Sequence, residues 1–164
     1  MRKTGTIAIL LASVGLLTSC LPAGDAVDDG MSPEDAKRYT QAVEREIVDA
    51  MPNQFVRTVL QKETGTFLPC SRDGAEQWAG GLTAQIQPGV DPDAVLDPIE
   101  EHFANVDELT VSRREDSGNV LVEVVGPHRS AWVVRYDAKR AEAYLTSFSP
   151  CIRLPSDIWR GDKF

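Results

Sequence analysis

Two histidines, three cysteines and a scatter of carboxylates are the side chains here whose chemistry could reach beyond packing. A zinc site needs three or four ligands on converging elements. His102 stands beside Glu100 and Glu101 in a helical stretch, where the spacing puts no second ligand on its face. His128, Ser130 and Asp137 have the residue types of a hydrolytic triad, but no nucleophile elbow or glycine-rich oxyanion turn surrounds Ser130. Hairpin positions account for all three. The acids Asp91 and Asp93, Glu100 and Glu101, and Glu115 and Asp116 fall near caps and turns or point apart on a helix, and read as a solvated surface. Gly80 and Gly81 lack the Lys-Ser/Thr pair of a phosphate-cradling loop. The expectation is a chain with no catalytic residues, no metal ligands and no cofactor.

The third cysteine belongs to the start of the chain. Arg2 and Lys3 precede an unbroken apolar run, Ile7 to Leu17, that is too short to span a bilayer and has no amphipathic period. Leu17, Thr18, Ser19 and Cys20 follow at once. Residues 1–20 resemble the leader and lipobox of bacterial lipoproteins: cationic start, apolar run, two small residues and a cysteine. The resemblance implies removal of residues 1–19 as a signal peptide, a diacylglyceryl thioether on Cys20 and an acylated, palmitate-bearing amino terminus. Two or more chains make a stable anchor, since each buried methylene contributes roughly 0.8 kcal/mol. Residue 21 is Leu, not the Asp of a Gram-negative inner-membrane retention signal.

With Cys20 taken up by lipid, Cys70 and Cys151 remain, and in an oxidising compartment they most simply pair with each other. Two free buried thiols or a redox pair are the alternatives, the second without a Cys-x-x-Cys motif. Without Arg2 and Lys3 the chain carries 15 basic against 25 acidic residues, about ten net negative charges. Nucleic acid is therefore not an expected partner, and binding to an anionic membrane is left to the lipid.

Residues 21–31 read as a flexible tether; Asp25, Asp28 and Asp29 lack the ordered spacing of a calcium loop. From residue 32 to 164 a single α+β domain is expected. Ser32-Pro33 is a cap followed by an N1 proline, and Ala36, Tyr39, Val43, Ile47 and Ala50 make a helical stripe that Pro52 ends. Phe55, Val56, Val59 and Leu60 suggest a second, shorter turn of helix. Thr66–Ser71 and Trp78–Ile86 read as a hairpin, the second strand alternating over Trp78, Gly80, Leu82, Ala84 and Ile86. Asp91-Pro92 opens another helix of about thirteen residues, with Pro98 in conflict with its interior. Leu109–Arg113, Asn119–Val125, Ser130–Asp137 and Arg140–Ser149 read as strands whose short connections favour antiparallel neighbours. The expected fold is thus an antiparallel sheet of about five to six strands, with two to three helices on one face and one disulfide.

From Cys70 onward, a hairpin, a helix and four strands ending in Phe148-Ser149-Pro150-Cys151 are similar to small lipoproteins of uncharacterised function from high-GC Gram-positive bacteria. That resemblance transfers no active site. Trp159 and Phe164 lie in a polar tail with Arg160 and Lys163; exposed, they would form a partner surface, and the favoured expectation is that Ile158 and Trp159 fold back onto the sheet. Arg160-Gly161-Asp162 spells the tripeptide that integrins bind, a match that arises often by chance. The function these features imply is a membrane-anchored, extracytoplasmic, non-catalytic binding or accessory module for an envelope protein or small ligand. The alternative is an envelope hydrolase or transferase, which demands two carboxylates facing each other in a cleft.

Overall fold

The computed structural model describes residues 27–116 and 119–164; the leader and Cys20 lie outside the described residues. Helix α1 runs over Pro33–Ala50, and the Ser32 hydroxyl accepts from the Asp35 amide as its cap. Its buried face includes Ala36, Val43, Ile47 and Val48. The strands are β1 (Val56–Gln61), β2 (Thr66–Pro69), β3 (Glu76–Ile86), β4 (Thr110–Asp116), β5 (Asn119–Val125), β6 (Ala131–Asp137) and β7 (Glu142–Phe148), with α2 (Pro92–Phe103) between β3 and β4. All seven strands join one antiparallel sheet in the order β1-β3-β7-β6-β5-β4, and β2 shares with β1 the same edge of β3. The expected hairpin is β2–β3, with Thr66 opposite Ala79 and Pro69 opposite Glu76.

Two expectations are corrected. The sheet has seven strands, not five or six, and two α-helices are formed among the described residues. Both corrections come from β1, which replaces the expected short helix. Val56 pairs with Ile86 but Thr58 with Gln85, a bulge that inserts one residue. The extra residue puts Val56 and Val59 on the same face, and a spacing of three imitates a helical stripe.

Helix α2 keeps Pro98 in its interior, and Asp91 caps it by accepting from the Asp93 amide. An interior proline costs about 3 kcal/mol. Val95 and Leu96, just before it, are fully buried, and each such burial returns about 1.5–3 kcal/mol. Packing therefore holds the helix through the proline.

Helix α1 lies over β3 and β7, and α2 over β4 to β6. Between helices and sheet sits the main core, built around Ile47, Leu82, Ile86, Phe103, Trp132 and Leu145. Trp132 donates to the Thr40 carbonyl at 3.0 Å and meets the Tyr39 ring edge-on. A smaller cluster joins Ala36, Phe67, Trp78 and Ile152. Gly80 is required there, because a Cβ at this position would run into the Trp78 indole.

One carboxylate is buried in this layer. Glu44 of α1 accepts from the Ser147 hydroxyl of β7 and, at 2.7 Å, from the Gln61 amide of β1. Burial pushes its carboxyl above the ordinary value of 4.5, and the Ser147 and Gln61 hydrogen bonds oppose that rise in part. The folded chain therefore binds the proton more tightly than the unfolded chain. Stability supported by that protonation is present below pH 4.5 and declines as pH rises through the folded value. Glu44→Gln, which cannot ionise, is expected to gain on the wild type as pH is raised from about 4.5 to 8. Urea unfolding midpoints of the two proteins across that range check this, and parallel curves would refute it.

Candidate functional site

Four chain segments meet at the end of the sheet where Cys70 bonds Cys151, with Cα atoms 5.9 Å apart across 81 residues. After β2, Cys70 begins a tight loop in which the Cys70 amide donates to the Ala75 carbonyl and the Ala75 amide to the Ser71 hydroxyl. After β7, Ile152 exchanges both backbone hydrogen bonds with Glu76. The Asp28 amide donates to the Cys151 carbonyl, so residues 27–31 of the segment expected as tether are part of the fold. The fourth segment is the β5–β6 connection, where the Cys151 amide donates to the His128 carbonyl at 2.7 Å.

That connection is strained. His128 and Arg129 are consecutive non-glycine residues with φ of 50° and 66°, a left-handed conformation costing an L-residue roughly 1–2 kcal/mol. Such strain is retained where surrounding contacts dictate it and concentrates at ligand sites. Arg129→Gly is expected to be more stable than Arg129→Ala by about 0.5–1 kcal/mol, because both lose the side chain and only glycine relieves φ. Chemical denaturation of the pair reads this directly.

The four segments enclose a cleft of about 650 Å³, and its charged lining comprises Arg72, Arg129, Arg153, Asp29 and Asp73. Arg153 donates to Asp29 at 2.9 Å, to the Asp73 carboxylate at 2.8 Å and to the Asp73 carbonyl at 3.2 Å. The Ser71 hydroxyl and then Arg153 hold the Asp73 carboxyl down to about 2, while Asp73 in turn raises the Arg153 guanidinium. Arg129 donates to the Cys70 carbonyl at 2.7 Å, and Arg72 makes no ion pair among the described residues. Three arginines against two aspartates leave the cleft positive in a chain whose net charge is −8. Guanidinium forks in a partly enclosed site attract carboxylates and phosphates and bind them bidentately.

Of the residues weighed for catalysis, His128 stands beside the cleft, 3.9 Å from Asp28, and the others are engaged apart from it. His102 contacts Glu46 at 2.8 Å, and no group of metal-binding side chains occurs among the described residues. Ser130 donates to the Pro127 carbonyl, while Asp137, at the far end of β6, accepts from the Lys139 and Arg140 amides. Seven residues of strand separate these two by roughly 23 Å, so the imagined triad is not assembled. Asp93, Asp97 and Glu100 converge on Arg113 of β4, and Asp116 pairs with Arg135.

The two tail aromatics part company. Phe164 returns to the sheet: it exchanges backbone hydrogen bonds with Gly65, accepts from the Trp78 indole at 3.2 Å and packs on Phe67 with ring centroids 5.2 Å apart. Ile158 packs against the same cluster, but Trp159 is 68% exposed. The expectation that Trp159 folds back with Ile158 is corrected, and the sequence pointed to Cys70 and Cys151 but not to the arginines. One signal was present, since Arg72 and Arg153 each stand two residues after a cysteine of the bridge.

No family model matches the chain, and neither a curated protein nor a solved structure shows significant similarity to it.

Proposed function

We propose that this protein is a non-catalytic binding module of the bacterial envelope, anchored on the extracytoplasmic face of the cell membrane through a lipidated Cys20. Its arginine cleft takes a carboxylate or phosphate group of a partner protein or small ligand. One observation carries the ligand reading: side chains from positions 72, 129 and 153 bring three guanidinium groups to one concavity of an acidic protein. The address rests on the lipobox and on the disulfide, which persists in oxidising compartments. With Cys20 as the anchor, Val27 of the cleft lining is seven residues away, so the cleft lies within about 25 Å of the acyl chains.

The competing hydrolase would find two carboxylates, Asp29 and Asp73, in the same cleft. A glycosidase needs one of its pair protonated near neutrality. Arg153 engages both acids, and with Ser71 it holds the Asp73 carboxyl low, which opposes that protonation. Binding is the reading these contacts favour.

Two measurements test the proposal. Intact mass analysis of the membrane fraction is expected to find diacylglyceryl on Cys20, and an unmodified mature cysteine would remove the anchor. Titration of the mature protein with inorganic phosphate and with acetate, followed by NMR, is expected to shift signals of Arg72 and Arg129 saturably. Arg72→Glu should weaken that binding by about tenfold or more; unsaturable or absent shifts would refute the anion site.

A further inference from the structure

We propose that a second cavity, of about 350 Å³ and sharing Arg153 with the arginine cleft, binds a pyranose ring of an envelope saccharide. Glu76, Trp159 and Arg160 carry its chemistry, with Leu154 and Ile158 among the other lining residues. Glu76 is 8% exposed, and its Oε2 is buried with no hydrogen-bond partner among the described residues. A buried carboxylate oxygen left without a donor is costly, and such exceptions call for a specific explanation. Arg160 is close, 3.6 Å from Glu76 Oε1, but lies beyond hydrogen-bond distance.

Any partner of this oxygen must be a donor. A cationic ligand would satisfy Glu76 but would meet Arg153 and Arg160 in the same cavity and be repelled by them. A hydroxyl group is neutral, donates to a carboxylate and accepts from a guanidinium. Vicinal hydroxyls on one ring can serve the Glu76 carboxylate, once a rotation of that group turns Oε2 toward the cavity, and Arg160 together. Such a ring also has C–H faces, weakly positive, that pack on the negative face of an aromatic ring. Trp159, 68% exposed, supplies that face at the mouth of the cavity. Its indole rests against Gly161, where a Cβ would collide with the ring. The Arg160 backbone carbonyl accepts from the Phe67 amide at 3.2 Å, which fixes the tail that presents both residues.

The test uses the full mature protein and methyl glycosides of glucose, galactose, mannose and N-acetylglucosamine, followed by tryptophan fluorescence and NMR. Trp78 and Trp132 are fully buried, so a saturable change quenched by acrylamide reports Trp159. At least one glycoside is expected to bind at about millimolar affinity. Trp159→Ala should abolish the response and, because the residue is exposed, leave the melting temperature unchanged. Gly161→Ala should weaken binding by displacing the indole, and Glu76→Gln should weaken it about tenfold. Tetramethylammonium is the counter-probe: saturable binding of this cation without any glycoside response overturns the proposal, as does silence toward all four glycosides. Phosphate binding in the arginine cleft is read separately by Arg72 and Arg129, so failure of one site is distinguishable from failure of the other although both include Arg153.

Discussion

Replacing Cys70 and Cys151 by serine, or reducing the bridge, is expected to lower stability by about 4.5 kcal/mol. The figure follows from the 81 residues the bridge encloses: an unlinked unfolded chain of that length regains the loop-closure entropy that the bond removes. For a chain of this size the loss corresponds to a melting temperature lower by roughly 10–18 °C. Calorimetry with and without a phosphine reductant measures it, and a shift below about 3 °C would refute the entropic account. The consequence is also local. Cys151 receives the Asp28 amide, donates to His128 and stands two residues from Arg153, so the reduced protein should lose phosphate binding in the cleft before it unfolds globally.

Arg153→Ala is expected to do the reverse, weakening phosphate binding by about 10- to 100-fold while leaving stability nearly unchanged. Its ion pairs with Asp29 and Asp73 are exposed, and exposed pairs contribute little to folding. In the cleft the loss is larger, because two arginines are left to face two aspartates and the site becomes neutral. A spectroscopic signature accompanies the change: the Asp73 carboxyl, held at about 2 by Ser71 and Arg153, should titrate closer to its ordinary 3.8. In the wild type, stability linked to Asp73 is present above pH 3.8 and lost as pH falls through about 2, and in the variant this acid limb should shrink. Carbon-detected NMR titration of Asp73 reads the shift. An unchanged Asp73 together with unchanged phosphate affinity would refute the role given to Arg153.

By itself the sequence determined the local pieces whose signals are short-range. Ser32-Pro33 and Asp91-Pro92 announced two helix starts because capping needs only neighbouring residues. The alternation through Leu82, Ala84 and Ile86, and the short polar links of the last four strands, announced an antiparallel sheet because the strand repeat is two and tight turns join adjacent strands. Cysteine arithmetic announced the Cys70–Cys151 bond. Tertiary structure alone decided the rest. The bulge at Val56–Thr58 is set by pairing with β3, so β1 had a helical spacing without being a helix. Glu44 lies on a buried face because Ser147 and Gln61, far off in sequence, satisfy its carboxylate. The arginine cleft follows the same rule: Arg72, Arg129 and Arg153 are isolated charges along the chain and become one positive surface only when the disulfide and the edge pairing of Glu76 with Ile152 draw their segments together. Periodicity and capping are written into neighbouring residues, whereas a site assembled from four distant segments exists only once loop closure has been achieved.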